Sequence, residues 1–227
     1  DKITIFSPNE NKQTYVISDD REGWVESVKL LLESYFKKDS PIQLFDYSLI
    51  RKAGTPIKTF GGTASGPEAL IELHEAIRQV LNKNIGTGIT ERTIADIMNL
   101  IGVCVVSGNV RRTAEIMFGD SKEFLELKNY KINPDRGPYG WTSNNSLFAE
   151  LGMDYTEAAL QTSLNGEPGY EYLENAKNYG RMCEAPNFKD IKAKGGNPCL
   201  EQTLESYELC CLVETFPINH NSLEEYL

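Results

Sequence analysis

Segments with the two-residue period of a half-buried strand alternate along this chain with segments of helical period, and that alternation restricts the fold more than any other feature. Residues 3–6 and 14–17 read as short strands around a turn rich in Asn and Pro. From about Arg21 the period lengthens. Trp24, Val28, Leu31, Leu32 and Tyr35 recur at helical spacing behind a cap at Asp19 or Asp20. Residues 41–47 (PIQLFDY) predict a strand. Residues 61–67 (GGTASGP) predict a loop, with Pro67 placed for the first turn of a helix. That helix carries Leu70, Leu73, Ile77, Val80 and Leu81 on one side, and residues 82–88 break it. A second helix follows Thr90, with Ile94, Ile97, Met98, Ile101 and Val105 as its apolar stripe.

Shorter elements fill the second half. Residues 112–118 alternate as a strand does, and Asp120 with Glu123 has the form of a capping box. Residues 133–140 (NPDRGPYG) make a loop, 146–149 a strand, 155–164 a helix and 169–173 a further strand. Residues 195–201 (GGNPCLE) form a loop, and 209–216 (LCCLVETF) are the strongest strand candidate in the chain. This order predicts an α/β class with a substantially parallel sheet.

Charge and length narrow the partners. A chain of 227 residues makes one large domain or two small ones. Its 23 basic and 33 acidic residues give a formal charge of −10, which argues against a surface that coats nucleic acid. A small anion is still permitted, because helix N-termini and a few arginines bind phosphate whatever the net charge. No apolar run approaches membrane-spanning length, and no secretory signal opens the sequence. The start at Asp1 predicts a processed product or one part of a split protein. The five cysteines, Cys104, Cys183, Cys199, Cys210 and Cys211, are odd in number and irregular in spacing. With His74 and His220 as the only histidines and no Cys-x-x-Cys pair, a structural zinc site has little support. Reduced thiols in a cytoplasmic protein are expected, any disulfide being catalytic.

The richest chemistry lies at 197–210. In Asn197-Pro198-Cys199-Leu200-Glu201 the amide, thiol and carboxylate stand at alternate positions, so an extended loop would present all three on one face. A thiol can be a metal ligand, a nucleophile, a redox partner or, as a thiyl radical, a hydrogen-atom acceptor. The carboxylate can serve as a general base toward a hydroxyl. Cysteine-protease chemistry would need a histidine, and both lie far off in sequence. On a strand Cys210 and Cys211 face opposite sides, so one alone reaches a substrate. Cys104 sits in an apolar helix and reads as a small buried hydrophobe, and Cys183 reads as structural. Gly61-Gly62-Thr63-Ala64-Ser65-Gly66 resembles a phosphate-cradling loop without the lysine of a P-loop, and as a bare motif is a turn.

NPCLE followed by ELCCLVETFP resembles the active-site loop and following strand of ribonucleotide reductases, most closely the adenosylcobalamin-dependent (class II) single-chain type. Further resemblances occur in the same order upstream: DDREGW (19–24), FGGTASGP (60–67), NLIG (99–102), SGNVRRTAE (107–115), WTSNNS (141–146), NGEPG (165–169) and KNYGR (177–181). They span nearly the whole chain. Leu200 departs from the pattern, standing where glycine is frequent in the single-chain class II sequences.

The resemblance implies roles at matching positions. Cys199 becomes the thiyl radical that removes the 3′ hydrogen of the ribose, Glu201 accepts the 3′-hydroxyl proton, and Asn197 hydrogen-bonds the substrate hydroxyls. Cys210, eleven positions after Cys199, is one of the redox pair that reduces C2′, its partner lying upstream of this sequence. Gly61, Gly62 and Ser65 become candidate nucleotide contacts. Residues 133–145 match the loop that links an effector nucleotide to the choice of base, with Arg136, Trp141 and Asn144 as candidates. An exposed charge and a packed aromatic are the plain alternatives for Arg136 and Trp141.

The implied fold is the first half of a ten-stranded α/β barrel with its central finger loop. Residues 1–194 would form the half-barrel with its nucleotide loops, 195–208 the finger loop, and 209–227 the start of the second half. Implied ligands and partners are a ribonucleotide, a dNTP effector, adenosylcobalamin, chains supplying the flanking segments and a thioredoxin-like reductant. The chain alone would be inactive. Two rivals are a class I large subunit and a non-catalytic nucleotide-binding assembly piece.

Overall fold

The computed structural model describes residues 3–57, 62–107, 113–179, 184–211 and 215–226. They divide into two compact units, Asp1–Glu171 and Tyr172–Leu227. No helix among the described residues is long and apolar enough to cross a membrane.

The first unit opens with β1 (Asn9–Val16), α1 (Arg21–Phe36) and β2 (Pro41–Asp46), the two strands pairing in parallel from Gln13↔Gln43 to Val16↔Asp46. β1 begins five residues before the strand expected at 14–17. Asn9 is tied at both ends, its N–H to the Ser40 carbonyl (2.8 Å) and its Nδ2 to the Asp39 carbonyl (2.6 Å), which draws the Asn-rich segment into the sheet. Residues 3–6 form only an isolated bridge, Thr4 to Gly88. Ile5 there is fully buried, stitched to the turn at 86–87 by Ile5 N–H to Thr87 O and Gly86 N–H to Ile5 O. Asp20 caps α1, its carboxylate accepting the Gly23 N–H at 2.7 Å. That bond, with one from Ser18, holds the Asp20 carboxyl below its ordinary range.

α2 (Glu68–Lys83) and α3 (Glu91–Val106) follow, packed on each other. Leu70, Leu73, Ile77 and Leu81 of α2 join Ile5, Ile17, Leu31 and Tyr35 in the larger hydrophobic core, as their spacing predicted. His74 is sealed within it, stacked on Phe45 at 4.1 Å. The Ser27 hydroxyl donates to the Trp24 carbonyl (2.7 Å), so it accepts from His74 Nε2–H (3.0 Å), while Nδ1 accepts from the Tyr47 hydroxyl (2.7 Å). Burial pushes His74 down to about 4, and the neutral ring pins α1, α2 and the end of β2 together.

α3 follows its sequence pattern only in part, Ile97 and Ile101 packing on the larger core. Thr90 caps it as expected, accepting from the Thr93 N–H. Of the expected stripe Ile97 is buried, but Ile94, Met98 and Val105 are exposed, while Thr93, Asp96, Asn99 and Gly102 face inward. The inward polar residues hold a buried ion pair described below. Gly102 admits Glu115 and Thr142 so closely that a Cβ there would lie 2.7 Å from Glu115 Oε1. Cys104 is buried as predicted, its thiol pushed up to about 12 by desolvation.

β3 (Glu115–Phe118), β4 (Ser143–Phe148) and β5 (Gly169–Glu171) make a second parallel sheet with β4 in the centre. α4 (Lys122–Leu125) and α5 (Thr156–Asn165) lie in the crossovers. Phe124, Leu125, Leu127, Leu147, Ala149 and Ala158 form the smaller core. The cap of α4 is Ser121, whose hydroxyl accepts the Phe124 N–H at 3.1 Å, in place of the expected Asp120. Both sheets being parallel, the α/β class holds.

The second unit contains α6 (Leu173–Asn178), the antiparallel pair β6 (Gly195–Gly196) and β7 (Thr203–Leu204), and α7 (Leu223–Tyr226). The segment 209–216 is not a strand in its described residues, 209–211 and 215–216. Leu209 is 77% and Phe216 55% exposed, and strand-forming side chains make a ladder only where a neighbouring strand accepts their backbone bonds.

Candidate functional site

The hairpin tip between β6 and β7 builds the site. Gly195 pairs with Leu204 and Gly196 with Thr203. Asn197 N–H then donates to Gln202 O, and Leu200 N–H folds back to Asn197 O, both at 2.9 Å. The tip is therefore a closed turn, and the extended run that would align Asn197, Cys199 and Glu201 on one face does not form. Leu200 takes a left-handed backbone with φ 61°, a conformation that favours glycine, at the position where its sequence departs from the pattern.

The turn nevertheless unites three of the four expected catalytic residues. Asn197 is buried at 2% exposure. Its Oδ1 accepts from Gln202 N–H at 3.2 Å, and its Nδ2 donates to Glu201 Oε1 at 2.6 Å and to Cys210 Sγ at 3.3 Å. Amide, carboxylate and second thiol thus share one side chain. Cys199 is exposed on the same turn, and Cys210 and Cys211 are exposed too. The amide can orient a hydroxyl, the carboxylate can accept its proton, and the thiols can exchange hydrogen atoms or electrons.

The other candidates are dispersed. Gly62 is left-handed (φ 73°) and its carbonyl accepts from Ile57 N–H at 3.0 Å, while the Ser65 hydroxyl reaches only the Gly66 carbonyl at 3.4 Å. Gly61 and Cys183 lie outside the described residues. The plain alternatives for Arg136 and Trp141 are reversed. Arg136 is fully buried, its Nε on Asp96 Oδ1 at 2.6 Å, a terminal nitrogen on Asn99 Oδ1 at 2.8 Å and the other on the Leu127 carbonyl. Trp141 is 57% exposed, its Nε1 donating to Pro138 O at 2.9 Å. Asn144 lies on β4 opposite Ile116 and accepts from the Ser146 hydroxyl at 3.0 Å.

One region escaped the sequence reading. Arg92 grips the loop at 133–135, donating to Asn133 Oδ1 and Asp135 Oδ2 at 2.7 Å each, and reaches Asp96 at 3.4 Å. It lines a cavity of about 290 Å³ with Lys83, Thr90, Asp96, Asp135 and Tyr139. The spacing of Arg92 and Asp96, four apart on a helix, was the available signal.

Comparison with known proteins places these observations. Residues 1–81 match the family described as the B12-dependent ribonucleotide reductase insertion domain. The chain is 62% identical over 217 residues to a probable adenosylcobalamin-dependent ribonucleoside-triphosphate reductase of Dictyostelium discoideum, covering 94% of this chain and 28% of that protein. It is 54% identical to the adenosylcobalamin-dependent ribonucleoside-triphosphate reductase of Euglena gracilis, over 99% of this chain and 31% of that one. A solved B-12 dependent (class II) ribonucleotide reductase superposes with a TM-score of 0.72 at 34% identity, covering 86% of this chain and 27% of that structure. The chain thus spans about 28–31% of the length of these relatives. With motifs, fold and similarity in agreement, the chain belongs to the adenosylcobalamin-dependent, class II ribonucleotide reductase family.

Proposed function

We propose that this chain supplies the radical-bearing loop and part of the catalytic barrel of a reductase that converts ribonucleoside triphosphates to deoxyribonucleotides. The carrying observation is the single Asn197 amide within hydrogen-bond reach of both Glu201 and Cys210, on a turn that also exposes the Cys199 thiol. In this reading a thiyl radical at Cys199 takes the 3′ hydrogen of the ribose. Glu201 accepts the 3′-hydroxyl proton, the 2′-hydroxyl takes a proton from the thiol pair that includes Cys210 and departs as water, and Asn197 orients the hydroxyls. Cys210 and a second thiol from outside this chain become a disulfide, their two electrons and remaining hydrogen passing to the ribose at C2′ while Glu201 returns its proton to the 3′ oxygen. Cys199 then returns the hydrogen to C3′.

Adenosylcobalamin, named in the relatives, supplies the initial radical when bound, by homolysis of its cobalt–carbon bond. The exposed thiol of Cys199 fits such a donor. The chain's part in that chemistry is the exposed thiol of Cys199. The parallel sheet β3–β4–β5 supports a place within the first half of a ten-stranded barrel, inside residues 1–194, with 195–208 as finger loop and 209–227 opening the second half. A dNTP effector, the flanking reductase segments and a thioredoxin-like reductant complete the reading, in a cytoplasmic enzyme.

The test grafts this chain in place of the matching segment of the Dictyostelium relative and follows a 3′-labelled substrate. Cys199→Ser should abolish label release, because an O–H bond is much stronger than S–H and a serine radical would not form. Cys210→Ser should still release label, then stall. Label release by the Cys199→Ser graft would sink the radical assignment.

A further inference from the structure

A count of donors at Asn197 leads to a step that the reaction scheme does not contain. A side-chain amide has two N–H groups and one carbonyl oxygen. Here the oxygen is taken by Gln202 N–H, and Nδ2 faces two acceptors, Glu201 Oε1 at 2.6 Å and Cys210 Sγ at 3.3 Å. The residue is 2% exposed, so water offers little to replace a lost partner. No donor is left over. We infer that Asn197 is a positioning residue that tethers the Cys210 sulfur beside Glu201 in the nucleotide-free chain, and that a ribose hydroxyl can accept a hydrogen bond from this amide only by displacing one of the two.

Cys210 is the weaker-held partner. Its contact is the longer, its acceptor is a thiol and not a carboxylate, and it lies thirteen residues from Asn197 on an exposed segment without strand pairing. Glu201 sits on the same turn. A hydroxyl that accepts from the amide therefore exchanges with sulfur and leaves the Asn197–Glu201 bond in place. The thiol that delivers electrons late in the reaction is released when substrate arrives and held in its absence. The exchange moves hydrogen bonds only. It rests on the proposed reading for the identity of the hydroxyl, whereas the tether itself is a property of the free chain.

The tether is tested without nucleotide. Asn197→Leu keeps the volume and removes all three bonds without adding a charge, and Asn197→Ala removes the bonds and the volume together. Each variant is treated with an anionic aromatic disulfide, and tandem mass spectrometry apportions modification between Cys210 and its neighbour Cys211. Both should raise the rate at Cys210 relative to Cys211 about three- to tenfold, the factor that one neutral hydrogen bond is worth. An unchanged ratio in both variants overturns the tether. Hydrogen exchange of the Asn197 side-chain amide in Cys210→Ala covers the case in which the turn itself is lost. One of the two Nδ2 protons should lose protection there and not in Cys211→Ala, and equal protection in both overturns the inference. Because no substrate is present, the tether can stand while the label-release experiment fails, or the reverse.

Discussion

Arg136 shows how a residue's role follows from partners far along the chain. Its guanidinium is fully buried and bonded to residues 40 and 37 positions earlier, Asp96 and Asn99, and its ring neighbour is Tyr139 with the cation 5.8 Å from the centroid. In the sequence it sits in NPDRGPYG, whose glycines and prolines mark a solvent loop, so burial there was not legible. Arg136→Met should cost about 3–5 kcal/mol in urea unfolding, since it leaves buried Asp96 with only the longer contact to part-exposed Arg92 and Asn99 Oδ1 without its donor. A loss below about 1 kcal/mol would mean that the pair is not sealed from water.

His74 gives the second residue-scale expectation. Burial places its protonation near pH 4, against an ordinary value of 6.5. The unfolded chain therefore takes up the proton first, and stability rises with pH across that interval. The contribution is whole above about pH 6.5 and falls away as pH drops through about 4, a difference of about 3 kcal/mol. Equilibrium unfolding at pH 7 and pH 4, compared between wild type and His74→Gln, should show this excess acid sensitivity only in wild type. Equal sensitivity would remove His74 as its source.

At the scale of elements, periodicity located most helices and strands, and side-chain chemistry decided which way they face. α2 turns its apolar side inward as its spacing predicts. α3 keeps Ile97 and Ile101 of its apolar stripe on the core, yet Asp96 and Asn99 bind Arg136 and Gly102 packs against Glu115 and Thr142, so a polar side is interior as well and Ile94, Met98 and Val105 are left outside. Hydrophobic patterning cannot foresee this, because it counts residue types and not the buried cation that claims them. Met98→Lys should thus change stability by no more than about 0.5 kcal/mol, whereas Asn99→Leu, one position on, should cost more than about 2 kcal/mol. The reverse order in thermal unfolding would restore the orientation expected from sequence. In the hairpin, the motif NPCLE was legible and its shape was not, because the turn depends on Asn197 bonding Gln202 and on Leu200 accepting a left-handed backbone. Leu200→Gly should steady the turn by about 1 kcal/mol, seen as slower amide exchange at Leu204 and Gln202. Faster exchange would show that the leucine side chain contributes more than its backbone costs.

For the molecule as a whole, the parallel order of β1–β2 and β3–β4–β5 followed from strands alternating with helices, and the chemistry of 197–210 followed from residue identity. What the sequence hid was cooperation between distant segments, such as Arg92 joining α3 to the loop at 133–135. One consequence reaches the bench. The row of Ile94, Met98 and Val105 gives the native chain a greasy outer ridge, and a dye such as ANS that fluoresces on apolar surfaces should light up on it under native conditions. That signal is ordinarily taken as the mark of a molten state. Here it should coincide with intact near-ultraviolet circular dichroism and a single cooperative melt. Ile94→Lys together with Met98→Lys should dim the dye and leave the melt where it was. A dye screen for misfolded preparations would therefore discard this chain in its best-folded form.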